Sequence, residues 1–74
     1  MWYIADIGTY ETGTCFKFYE DSDTAALSRA FSVRDRRFMG SDVIQLRRCK
    51  GRPTKPLALA EGVIVWDYMN GWLQ

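Results

Sequence analysis

The sequence has no histidine, only two cysteines and only two prolines in 74 residues. Without histidine the commonest general base is missing, and no Cys/His pair can form. Cys15 and Cys49 alone give no zinc-ligand spacing, so no metal and no cofactor is expected. A disulfide between them would need an oxidising compartment, and the alternative is two half-buried thiols. No apolar run approaches the ~18 residues of a membrane-spanning helix. Met1-Trp2-Tyr3 followed by Asp6 has neither the basic start nor the apolar centre of a signal peptide. A cytoplasmic protein outside the membrane is therefore expected. Neither Gly8 nor Gly13 sits in a phosphate-binding glycine motif.

What is present is a globular composition: 47% hydrophobic and 15% aromatic residues with six glycines, unlike a disordered chain. The length allows one small domain over residues 1–74. Its net stability should be about 3 to 5 kcal/mol, which a partner could increase.

The formal net charge of +1 conceals strong segregation. Residues 1–28 carry Asp6, Glu11, Glu20, Asp21 and Asp23 against Lys17 alone, a net −4. Residues 29–55 carry nine of the ten cations, namely Arg29, Arg34, Arg36, Arg37, Arg47, Arg48, Lys50, Arg52 and Lys55, against Asp35 and Asp42, a net +7. Near-neutrality thus excludes a uniformly charged binder and leaves room for a local basic surface.

Trp2 to Ile7 reads as a first strand ending at Gly8. Thr14 to Tyr19 reads as a second, because Phe16 and Phe18 alternate with Lys17, and the two should form an antiparallel hairpin. Asp21-Ser22-Asp23-Thr24 offers several N-caps before a helix from about Thr24 to Arg36. Leu27 and Phe31 share one helix face, with Arg29 and Arg36 roughly opposite. Gly40 lies just past the helix end, where a left-handed residue commonly stops a helix.

Ser41 to Cys49 reads as a third strand, with Ile44 and Leu46 on one side and Val43, Gln45 and Arg47 on the other. Lys50 to Pro56 is a loop by its glycine and prolines. Leu57 to Ala60 and Val63 to Tyr68 flank Glu61-Gly62 as a last hairpin. The expected fold is α+β, an antiparallel sheet of about five strands with one helix on a face, in the order ββαβββ.

Asp21 and Asp23 could be a carboxylate pair, but capping and the helix dipole explain both more simply. No enzyme is expected. Cations in the last helical turn also offset the dipole, yet that needs one or two charges, not nine on helix, strand and loop. A basic binding surface follows, built from Arg29, Arg34, Arg36 and Arg37 with Arg47, Lys50, Arg52 and Lys55 alongside. Phe16, Phe18, Phe31 and Trp66 are core candidates. Tyr10 and Trp72 are candidate aromatic contacts beside arginines, although the tail carrying Trp72 could also fold back.

Leu27-Ser28-Arg29-Ala30-Phe31-Ser32-Val33-Arg34 followed by Phe38-Met39-Gly40-Ser41, within Thr24 to Leu46, resembles a segment of small phage-encoded type I anti-CRISPR proteins. Leu57-Ala58 and Trp66-Asp67 sit where such proteins carry similar pairs near their ends. The resemblance implies a non-enzymatic inhibitor that binds the RNA-guided surveillance complex (Cascade) of bacterial immunity and stops target DNA from pairing. Arg29 and Arg34 fall on basic positions of that segment, whereas Arg36 and Arg37 are candidates from charge alone. The chain departs from the pattern at bulky Phe31 and in the loop from Arg52 to Pro56. Two other readings stay open: an accessory protein binding nucleic acid directly through phosphates, and a homodimer or larger structural component with the aromatic sheet face as its seam.

Overall fold

Tyr3, Ile4, Ala5 and Ile7 are all essentially without solvent exposure, so the first strand is buried on both faces, as a central strand must be. In the computed structural model, which describes residues 1–9, 12–54 and 62–73, β1 (Trp2–Gly8) lies between β2 (Gly13–Tyr19) and β3 (Asp42–Cys49). β4 (Val63–Asp67) and β5 (Gly71–Trp72) extend the sheet beyond β3, giving the spatial order β2-β1-β3-β4-β5 with every pairing antiparallel. One helix, α1 (Asp23–Arg37), packs on one face. The ββαβββ α+β fold expected from the residues is the fold found. No helix among the described residues is long and apolar enough to cross a membrane.

The β1–β2 turn is tight: a Cβ on Gly8 would lie 2.1 Å from the Thr12 carbonyl oxygen, so only glycine fits there. Ser22 is the N-cap of α1, accepting from the Ala25 N–H at 3.1 Å. Gly40, with φ +90°, reverses the chain two residues after the C-cap Phe38.

The helix meets the sheet through Ala26 and Ala30, both fully buried, while Leu27, Phe31 and Val33 flank them only partly buried. Two alanines let the helix approach closely, and the larger side chains wedge its sides. The centre of the helix's buried face is thus the alanine pair and not Leu27 with Phe31. The core beneath is Tyr3, Ala5, Ile7, Phe18, Val43, Leu46 and Val65.

β3 departs from simple alternation. Asp6 pairs with Gln45 and Ile7 with Val43, so the register skips Ile44. This β-bulge turns Val43 to the core beside Leu46 and leaves Ile44 39% exposed. The expected grouping of Ile44 with Leu46 is therefore corrected. The Ile44 carbonyl accepts from the Tyr68 N–H at 2.8 Å.

The last hairpin is also placed differently. It joins Val63–Asp67 to Gly71–Trp72, with Asp67 accepting from the Asn70 N–H at 2.6 Å and Gly71 at φ +73°. A side chain that caps its own turn and a residue suited to positive φ favour this turn. The strand expected at Leu57 to Ala60 lies outside the described residues.

The sheet face away from the helix is not a plain solvent face. Ile4 and Cys49 are buried there with Arg47, and the loop after β3 turns over it with Pro53 buried. Lys17 Nζ donates to the Pro53 carbonyl at 3.0 Å, and the Arg52 guanidinium lies 5.4 Å above the Trp2 ring.

Candidate binding groove between the helix and the sheet edge

β2 leads directly into α1, which runs back over the sheet beside it, and β2 is an edge strand. Between them opens a groove of about 560 Å³. Phe16, Phe18, Val33 and Phe38 supply apolar walls and Arg29, Arg36 and Arg37 supply the charge, while Lys17, at the rim, sends its ammonium to Pro53 on the opposite face of the sheet. Among the described residues no carboxylate lines it. The helical period explains the grouping: residues 29, 33, 36 and 37 fall on one flank of a helix turning ~100° per residue.

Arg29 is anchored at one end. Its Nη1 donates to Glu20 Oε2 at 3.1 Å and to the Tyr19 carbonyl at 3.2 Å, and its guanidinium sits 5.2 Å over the Phe18 ring. At the other end Arg36 and Arg37 are exposed, and among the described residues neither makes an ion pair. Arg36 Nε reaches only its own helix, 3.4 Å from the Ser32 carbonyl.

The remaining expected site residues do not join them. Arg34 projects on the other flank, 5.0 Å over Phe31 and paired with Asp35 at 2.7 Å. Arg47 is a correction: it is buried, with Nη2 3.3 Å from Asp6 Oδ1, because alternation along β3 turns it to the covered sheet face beside Ile4. Arg52 also belongs to that face, over Trp2. Lys50 is exposed where β3 ends. Trp72 is 49% exposed on β5, at the sheet edge opposite β2. Lys55 and Tyr10 lie outside the described residues.

Lys17, Val33 and Phe38 line the groove without having been singled out as contacts. The Phe16-Lys17-Phe18 alternation already puts the Lys17 side chain on the face opposite the two phenylalanines, where it meets Pro53. What it did not carry was that β2 would be an edge.

Asp23 is no half of a carboxylate pair with Asp21. It accepts the Tyr3 hydroxyl at 2.5 Å and Arg48 Nη1 at 2.9 Å, tying the first turn of α1 to β1 and β3. Burial, reinforced by that carboxylate, pushes the Tyr3 hydroxyl well above its ordinary pKa. Burial and then the bond to Asp6 push the Cys15 thiol up to about 11, and burial also raises Cys49. Both thiols are free. Cys15 faces Asp6 across one side of β1 and Cys49 faces Trp2 across the other. Two strand spacings and four residues separate them, roughly 10 Å by 13 Å, far beyond the ~7 Å limit for a disulfide. Among the described residues no cluster of three or more potential ligands could hold a metal ion.

The chain matches no protein-family model, no curated protein and no solved structure. The groove itself therefore defines what the site can do. It offers one anchored guanidinium and two exposed ones over an apolar floor, an arrangement that attracts anionic groups and retains apolar ones.

Proposed function

We propose that this chain is a non-enzymatic binding protein acting in the bacterial cytoplasm as an inhibitor of a type I RNA-guided surveillance complex. It docks on a protein–RNA surface of that complex through Arg29, Arg36 and Arg37 and blocks target DNA binding. One observation carries this reading: three arginines rim a single groove, and among the described residues no carboxylate lines it. The resemblance of the Leu27 to Ser41 segment supplies the partner. Arg34, Lys50 and Arg52 are peripheral to the contact.

The test is binding to a purified surveillance complex. Reversing Arg29 and Arg36 together to Glu should slow association and weaken binding by at least about thirtyfold, the effect of ~2 kcal/mol at a hot spot. Unchanged affinity refutes the assignment.

A second reading, direct binding to nucleic acid, draws on Arg36 and Arg37, which make no ion pair among the described residues. It requires a gel shift with DNA or RNA alone that weakens steeply between about 50 and 200 mM salt. Absence of a shift at either salt rejects it.

A further inference from the structure

The groove is bordered by more than side chains. Met1 and Glu20 exchange two hydrogen bonds, the Glu20 N–H to the Met1 carbonyl at 2.9 Å and the Met1 ammonium to the Glu20 carbonyl at 2.7 Å. At the other end the Thr9 N–H donates to the Thr12 carbonyl at 2.7 Å. In an antiparallel ladder such pairs alternate with pairs whose backbone groups point away. The continuous register between these ends, Tyr3 with Phe18 through Ile7 with Thr14, therefore turns the N–H and C=O of Thr14, Phe16 and Phe18 toward β1. Those of Cys15, Lys17 and Tyr19 face outward. The Tyr19 carbonyl confirms the phase, because Arg29 takes it from outside. Among the described residues β2 pairs with β1 alone, so Cys15 and Lys17 present a repeating donor–acceptor edge beside the groove.

We infer that the groove receives an extended acidic segment of a partner protein, which adds to the sheet as a strand beside β2. This rests on the binding role proposed above and specifies the chemistry of the partner. Strand addition draws affinity from main-chain hydrogen bonds and specificity from alternate side chains. Side chains of the added strand that point to the helix side meet Arg29, Arg36 and Arg37, a run that spans about 12 Å of helix axis. Carboxylates at those alternate positions complement it, and among the described residues only Glu20, at the Arg29 end, already pairs with one of these arginines. A nucleic-acid strand fits less well. Its bases need an open ring face for stacking, and Arg29 already covers Phe18.

The probe is a synthetic peptide as long as β2, 7 residues, alternating glutamate with valine. On titration into the full chain, hydrogen exchange at the Cys15 and Lys17 amides should slow at least about tenfold. The Phe16 and Phe18 amides, already in the ladder, should change little. N-methylation of one alternate set of peptide amides should abolish binding while methylation of the other set is tolerated. Arg36→Glu with Arg37→Glu should weaken the peptide at least about tenfold. Saturating peptide without protection at Cys15 and Lys17, or equal binding by both methylated peptides, overturns strand addition. Full displacement by oligothymidylate with no amide protection overturns it in favour of nucleic acid.

Cys15→Pro removes one outward N–H and no backbone bond to β1, a change that an edge strand accepts. If the surveillance complex is lost by the paired arginine reversal but retained by Cys15→Pro, strand addition fails and the basic-groove function stands. If the complex binds neither the native chain nor the variants while the peptide is protected at Cys15 and Lys17, the proposed partner fails and strand addition stands.

Discussion

Asp6 on β1 receives two side chains from β3 on the covered face of the sheet, Gln45 Nε2 at 2.7 Å and Arg47 Nη2 at 3.3 Å. Arg47 was the expected surface cation that folding instead withdraws. Its guanidinium is kept in a buried position partly by this carboxylate, so loss of Asp6 leaves buried charge less compensated. Asp6→Ala should cost about 2 kcal/mol in urea denaturation, below the range for fully enclosed pairs because Asp6 keeps some solvent contact. Asp6→Leu combined with Arg47→Met should cost less than the two single changes together, since the apolar pair needs no desolvation compensation. Additive losses would show that the two do not act as a pair.

The bond from Tyr3 to Asp23 joins the centre of the sheet to the first turn of the helix. Tyr3→Phe should cost about 1 kcal/mol, the worth of one hydrogen bond. Asp23→Ala should cost more, about 2 kcal/mol, because it strands a buried hydroxyl as well as releasing Arg48. Thermal or urea unfolding of the two variants gives the ranking directly, and the reverse order would mean that the Tyr3 hydroxyl finds another partner without Asp23 and that the Arg48 bond adds nothing.

The raised groups, the Tyr3 hydroxyl and the Cys15 and Cys49 thiols, keep their protons longer folded than unfolded. The native state then binds more protons at high pH, and stability falls as pH rises. For Cys15 the contribution is complete below the ordinary thiol value of 9.0 and is lost as pH rises toward about 11. Denaturation midpoints at about pH 8 and about pH 10 should therefore decline in the native chain, and decline less in Cys15→Val.

The element order was readable because each segment signals itself: Phe16 and Phe18 alternate, Ser22 caps, and Gly40 terminates. Arg29 and Arg36 sharing a helix flank followed from the 3.6-residue period in the same way. The positions that were misread depend on neighbours distant in sequence. Period-two counting puts Ile44 with Leu46, and only pairing with β1 reveals the bulge that substitutes Val43. Arg47 reads as one cation in a basic run, and only its register beside Ile4, near Asp6, explains its burial. Arg34 matched a basic position of the resembling segment, yet the side occupied by Phe31 and Trp66 takes it away from the groove.

The β1–β2 turn offers a contrast between two glycines. A methyl on Gly8 would meet the Thr12 backbone at 2.1 Å, whereas one on Gly13 has its nearest neighbour, the Ile7 carbonyl, at 3.8 Å. Gly8→Ala should cost 2 kcal/mol or more, of the order seen when backbone must shift, while Gly13→Ala should lie within about 0.5 to 1 kcal/mol of the native chain. Equal tolerance at both sites would mean that the turn opens without cost. Because this turn helps fix the phase of β2, Gly8→Ala should also weaken protection of the Phe16 and Phe18 amides.

Arg34 and Arg36 separate stability from binding. Arg34 covers Phe31 and pairs with Asp35, so Arg34→Glu removes a cation–π contact and places two carboxylates side by side. The expected cost is about 1 kcal/mol of stability with partner affinity nearly unchanged. Among the described residues Arg36 hydrogen-bonds its own helix at the Ser32 carbonyl and makes no ion pair, so Arg36→Glu should cost about 0.5 kcal/mol through the helix dipole. Its effect on binding should be the larger one, with slower association and a shallower salt dependence. Measuring both quantities on both variants locates the binding surface on one helix flank. If Arg34→Glu instead carries the greater binding loss, the contact lies on the Phe31–Trp66 side and the β2 groove is not the site.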